Sequence, residues 1–125
     1  MIKKSVLKSS VFNTSKVDII IPFHGQYEKV RRLVESIIIG VKSNPYQITL
    51  IDDFSPNQSF GTDLNSLDPI VSVIRNEKQL GFGGSINVGI KNTKQPWTLF
   101  LNSDCVVEQN NWMLEMGRSL INLKS

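Results

Sequence analysis

Four short polar clusters in this chain each stand directly after an apolar run, and each carries groups able to hold a charged ligand. His24 follows the run Val17 to Phe23. Asp52 and Asp53 follow Gln47 to Ile51, Arg75 and Asn76 follow Ile70 to Ile74, and Asn102, Ser103 and Asp104 follow Trp97 to Leu101. A carboxylate such as Asp104 can hold a hard divalent cation, with Asn102 adding an oxygen or a water contact. A cation of that kind neutralises a pyrophosphate and assists its departure. Asp52 and Asp53 are adjacent and project to opposite sides of a strand, so one can accept a ligand N–H while the other ties down the loop through Ser55 or backbone N–H groups. In Gly81-Phe82-Gly83-Gly84 the glycines let the backbone approach a ligand, and the helix that follows offers a phosphate-binding N-terminus. His24, the only histidine, has a ring able to stack on a base. Each feature also has a purely structural alternative: a helix cap or turn for the aspartates, a tight turn for the glycines, a surface loop for His24. Recurrence at four strand ends favours the ligand reading.

Other chemistries are poorly supplied. One cysteine excludes an internal disulfide and a Cys-based zinc site. Cys105 reads as a small packing residue. No serine or cysteine elbow marks a nucleophile. Gly81-Phe82-Gly83-Gly84 is only superficially a G-x-G-x-x-G fingerprint. Position 86 is Ile, and the segment follows the third apolar run rather than the first. A dinucleotide-binding Rossmann protein is therefore the weaker alternative.

The elements that must position these groups alternate. Val17 to Ile21 reads as a buried strand stopped at Pro22. Val30, Leu33, Val34, Ile37, Ile38 and Val41 form one stripe of a helix closed by Gly40 and Asn44-Pro45. Gln47 to Ile51 is a second strand. Phe54 to Ser66 reads as a loop with one helical turn near Asp63 to Leu67. Ile70 to Ile74 is a third strand, the glycine-rich turn leads into a helix from Ser85 to Lys91, and Trp97 to Leu101 is a fourth strand. Met113, Met116, Leu120 and Leu123 space out a last helix, its stripe broadened by Trp112. This order predicts an α/β fold with a mostly parallel sheet and helices on both faces. In such sheets ligands bind beyond the C-terminal strand ends, where the polar clusters fall.

The chain has 125 residues, 40% hydrophobic and 20% charged, which describes one globular domain with its own core. Its formal charge is +3, and Lys3, Lys4, Lys8 and Lys16 concentrate much of the excess near the start. Residues 1–16 read as a flexible basic N-terminus. This segment resembles a weak targeting peptide but lacks a continuous apolar stretch and a small-residue cleavage site, and no apolar run is long enough to span a bilayer, so a cytoplasmic location is expected. No nucleic-acid partner is implied.

Taken together, Val17 to His24, Ile51-Asp52-Asp53-Phe54-Ser55, Arg75-Asn76 through Gly81-Phe82-Gly83-Gly84-Ser85-Ile86-Asn87-Val88-Gly89, and Phe100 to Asp104 resemble the nucleotide-sugar-binding half of a family 2 glycosyltransferase of the GT-A fold. The resemblance runs from about residue 17 to 118. It implies a Rossmann-like GT-A nucleotide-binding domain over 17–125. Pro22, Phe23 and His24 match the family's base-cradling loop, with His24 where a stacking Tyr is common. Asp53 matches the carboxylate that reads a uracil-type N–H, and Asp52 its partner. Asn76, Gly81, Gly83, Gly84 and Asn87 match the segment under the nucleotide and donor sugar. Asn102, Ser103 and Asp104 match the D-x-D motif, whose last residue binds Mn²⁺ or Mg²⁺ through the diphosphate. Asn102 replaces the first Asp, as in rhamnosyl-type members, which weakens metal affinity. Ile86 stands where many members carry Arg.

The resemblance thus implies a metal-dependent, inverting transferase with a nucleotide-diphosphate sugar as donor, a UDP-sugar favoured. The sugar goes to an acceptor that is not identified, or is slowly hydrolysed. Family members generally continue for about another hundred residues with an acceptor site and a catalytic carboxylate. That half is read as absent, only Glu108 and Glu115 follow Asp104, and no catalytic residue is assigned. The alternative is a non-catalytic nucleotide-sugar-binding module. An unpaired sheet edge and an uncovered apolar face also make a homo-oligomer an expectation.

Overall fold

The computed structural model describes residues 17–40 and 47–103. Strands and helices alternate as β1 (Val17–Phe23), α1 (Tyr27–Gly40), β2 (Gln47–Asp52), α2 (Ser59–Asn65), β3 (Val71–Arg75), α3 (Gly81–Asn92) and β4 (Trp97–Phe100). The strands form one sheet in the order β3-β2-β1-β4, and every neighbouring pair is parallel. Progress from β1 to β2 to β3 moves one way across the sheet. The connection through α3 then returns past β1 to β4, so the direction of winding reverses between β1 and β4. With right-handed crossovers, that reversal puts α3 on the face opposite α1 and α2. The basic leader, Val41 and the expected terminal helix with Met113 and Leu123 lie outside the described residues.

Packing follows the two periodicities. On one face, Ile19 and Ile21 of β1 and Ile48 and Leu50 of β2 join Val30, Leu33, Val34 and Ile37 of α1 and Leu64 of α2 in a single buried cluster. Each of these aliphatic side chains contributes roughly 1.5–3 kcal/mol by leaving water. The outer side of α1 carries Arg31 between Glu28 at 2.8 Å and Glu35 at 2.9 Å, a solvated arrangement that water and salt screen. On the other face Ile20 meets α3 at Gly89. A Cβ there would lie 2.6 Å from Ile20 Cγ2, so the close approach of helix to strand requires glycine. The same face carries a buried polar pair: the Thr49 hydroxyl donates to Asp18 Oδ1 at 2.7 Å. Asp18 Oδ2 has no partner among the described residues.

Three elements differ from the sequence reading by more than one residue. β1 runs through Pro22 to Phe23 rather than stopping at Pro22. The Ile20 carbonyl accepts from Leu101 on the β4 side and the Phe23 carbonyl from Asp53 on the β2 side. Pro22 therefore faces the β4 side, where pairing ends opposite Ile20, and its missing N–H breaks no ladder bond. The short helix is α2 at Ser59–Asn65, earlier than the turn expected near 63–67. Asn57 Oδ1 accepts both the N–H and the hydroxyl of Ser59 just ahead of it, and Phe60 stacks on Tyr27 at 5.2 Å. Finally, α3 begins at Gly81, not Ser85. The glycines form its first turn, for a reason that lies in the site.

Candidate functional site

At the C-terminal edge of the sheet, where the winding reverses, the ends of β1 and β4 border a cleft of about 240 Å³. Pro22, Phe23 and His24 form one wall from β1. Asp53 contributes from the end of β2, Gly81 from the start of α3, and Asn102 and Ser103 from the end of β4. Seven of the residues singled out from the sequence thus meet in one place. Asp52, Asn76, Gly83, Gly84 and Asn87 are not part of the lining. Asp104, Glu108 and Glu115 lie outside the described residues. Among the described residues no three His, Cys, Asp or Glu side chains converge as a metal cage.

Asp53 organises the floor. Its Oδ1 accepts the N–H of Leu80 at 2.7 Å and the Asn76 side-chain amide at 3.0 Å. Its Oδ2 accepts the N–H of Gly81 at 2.9 Å. Two of the orphan donors at the start of α3 are satisfied in this way, which is why the helix can begin at Gly81, where φ is +80°. Burial pushes the Asp53 carboxyl up. The N–H of Leu80, the Asn76 amide, the N–H of Gly81 and the Ser85 hydroxyl together outweigh that, and hold it below the usual carboxylate range. Asp53 is therefore an acceptor-only group at neutral pH. Its Oδ2 accepts the backbone N–H at the start of α3 while the residue lines the cleft.

Asn76 sits behind the floor. Its side-chain amide donates to Asp53 and, at 3.1 Å, to Ser85 Oγ. Its backbone N–H bonds the Asp52 carbonyl at 2.8 Å. It braces β2, β3 and α3 against one another. Asp52 is likewise a bracing group: Oδ1 accepts the Ser55 N–H at 2.8 Å and Oδ2 pairs with Arg75 at 2.8 Å. Of the two roles expected for the aspartates, tying down the loop through Ser55 falls to Asp52.

His24 is exposed on the rim. Its Nδ1 lies 2.7 Å from the Asp53 carbonyl. A carbonyl only accepts, so Nδ1 carries the hydrogen and Nε2 is left as an acceptor in the neutral ring. The next residue is held as well, because the N–H of Gly25 donates to Ser55 Oγ at 2.7 Å. Gly25 and Gln26 have φ of 66° and 56°, and Phe54 across from them has φ of 60°. For the two non-glycine residues this conformation costs on the order of 1–3 kcal/mol each, and strain of this kind clusters at binding sites.

The cleft adds two residues that the sequence reading left unassigned, Gln79 and Phe82. Phe82 is 55% exposed, a large apolar ring left in water beside a polar cleft. Its position directly behind Gly81 was the available signal.

These features define a doubly wound α/β domain with a cleft at its topological switch point, where sheets of this kind bind ligands. The chain belongs to glycosyl transferase family 2, whose sequence profile matches residues 18–120. It is 34% identical over 88 residues to an uncharacterized glycosyltransferase of Haemophilus influenzae, covering 70% of this chain and 29% of the relative. It is 28% identical over 99 residues to the poly(ribitol-phosphate) beta-N-acetylglucosaminyltransferase TarP of Staphylococcus aureus, covering 75% and 30%. Among solved structures, S. aureus TarS residues 1–349 in complex with UDP-GlcNAc superposes with a TM-score of 0.69 at 20% identity, covering 86% of this chain and 31% of that one. The fold is thus the GT-A type expected, and the chain spans about 30% of the length of the relatives it matches. No helix among the described residues is long and apolar enough to cross a membrane.

Proposed function

We propose that the cleft binds a nucleoside-diphosphate sugar, a UDP-sugar in preference, and that the chain is the donor-binding part of an inverting glycosyltransferase. The observation that carries this reading is the ionised, acceptor-only Asp53 in the lining of a cleft at the switch point. A carboxylate in a cleft wall is suited to accept a ligand N–H. Uracil offers one at N3, whereas cytosine offers only a ring acceptor there. The TarS complex with UDP-GlcNAc supports the same donor class. His24 would flank the base, and Asn102 and Ser103 would border the diphosphate.

A divalent cation is part of the proposed donor complex. With no cage of three ligating side chains among the described residues, the ion would be held by Asp104 and the donor diphosphate together, as Mg²⁺ and Mn²⁺ often are. Bound there, it would offset the charge of the departing nucleoside diphosphate. In the transfer itself an acceptor oxygen bonds the anomeric carbon, the bond from that carbon to the diphosphate breaks, and the acceptor proton passes to a base. None of the described residues is assigned that last role. The protein's own contribution is to hold the donor and exclude alternative poses.

The test is a thermal-shift screen of nucleotides and nucleotide sugars with and without Mn²⁺, followed by chromatography of the donor after incubation. Stabilisation by UDP and release of UDP from a UDP-sugar are expected. UDP binding without release would reduce the protein to a nucleotide-sugar-binding module. Binding of NADH but not UDP would overturn the reading.

A further inference from the structure

We propose that Arg75, on β3 and outside the cleft, is the positioning residue that sets the orientation and tautomer of His24. The inference concerns the cleft wall; its consequence for nucleotide affinity rests on the function proposed above.

Arg75 reaches the cleft through a tight turn. Its guanidinium donates to Asp52 Oδ2 at 2.8 Å, with the Asp52 side chain 1% exposed and that of Arg75 27%. The other oxygen of Asp52 accepts the N–H of Ser55, which closes the turn 52–55. Between them Phe54 is forced to a positive φ, and its ring lies 5.0 Å from the Arg75 guanidinium. Arg75 thus grips the turn twice, by an ion pair and by a cation–π contact. These contacts offset the strain of a non-glycine residue in the left-handed region.

The same turn grips the β1–α1 loop twice. The Asp53 carbonyl accepts from His24 Nδ1, and Ser55 Oγ accepts from the N–H of Gly25. Both acceptors belong to residues inside the turn that Arg75 grips. The β1–α1 loop is itself strained at Gln26, so it needs an external hold. Releasing the turn moves the carbonyl that keeps the proton on Nδ1, and the ring then reverts to the Nε2–H form that free histidine favours.

His24 is the only imidazole in the chain, which makes it a clean reporter. ¹⁵N imidazole spectra of the intact protein are recorded at a pH of about 8.5, above the ordinary imidazole range, for wild type, R75K, R75M and the double variant D52N/R75M. The double variant leaves no uncompensated buried carboxylate and serves if R75M does not fold. The expected result is an Nδ1–H signature in wild type, partly kept in R75K and lost in whichever Met variant folds. UDP affinity should weaken by about tenfold in the Met variants, in the range of a lost hydrogen bond. An unchanged imidazole spectrum in either folded Met variant overturns the positioning role. A changed spectrum with unchanged UDP affinity overturns the link to the cleft. If wild type binds no UDP while the Met variants still lose the Nδ1–H signature, the positioning role stands and the proposed function fails.

Discussion

The carboxylate of Asp53 accepts the backbone N–H of Gly81 at 2.9 Å, joining the end of β2 to the first turn of α3 across 28 positions of sequence. A negative group on the first N–H donors of a helix is a stabilising cap, and here it is also part of the cleft lining. The two roles share one side chain.

Replacement of Asp53 should therefore show in stability and in binding. Asp53→Ala strips three donors of a buried acceptor, and a loss of about 2–4 kcal/mol is expected in urea unfolding. Uridine nucleotides should bind weaker by about 1–3 kcal/mol in calorimetry. Equal UDP affinity in a folded D53A protein would sink the base-reading role.

The pH dependence of stability has a defined sign. The folded-state carboxyl of Asp53 is held below its ordinary value. Its contribution is thus fully present above the unfolded-state value near 4 and is lost as pH falls through the lower folded-state value. Wild type should lose stability in that acidic window, and D53N should lose less. Parallel acid titrations of the two proteins would refute this.

Gly89→Ala tests the contact between α3 and β1. The added methyl would stand 2.6 Å from Ile20 Cγ2 and 2.9 Å from its Cδ1. Overpacking of this kind costs about 1–3 kcal/mol, more than the roughly 1 kcal/mol an alanine adds in helix propensity. A lowered midpoint in chemical denaturation is expected, and G89A combined with Ile20→Val should recover part of it.

Thr49→Val would leave both oxygens of the fully buried Asp18 without a partner among the described residues. A loss of about 1–3 kcal/mol follows from an unsatisfied buried acceptor. In the T49V background Asp18→Asn should then be less harmful than in wild type, which a double-mutant cycle measures.

Asp104 carries the metal proposal. Wild type should bind UDP more tightly with Mn²⁺ than with chelator, and D104A should bind it equally in both. Unchanged Mn²⁺ dependence in D104A would remove the metal from that position.

The alternation of strands and helices was legible in the residues alone, because burial imposes a period. Val30, Leu33, Val34 and Ile37 repeat at helical spacing, and Ile19-Ile20-Ile21 reads as a strand covered on both faces. The polar residues at strand ends were legible for the same reason. An apolar run that stops at Asp52 or Asn102 marks where the strand leaves the core, and a parallel sheet collects all such ends on one edge. Tertiary structure alone decided which of those residues share a cleft and which stand behind it. Asp53 lines the cleft while Asp52 turns to Arg75, because the chain leaves β2 between them and folds through Phe54 at a positive φ. A left-handed phenylalanine has no local sequence signature. It is held by Arg75, a residue 21 positions away, and the bonds from Asp53 to Leu80 and from Ser55 to Gly25 span 27 and 30 positions. Local sequence sets each element's period, whereas the partners of a buried carboxylate are set by what the packed sheet brings beside it.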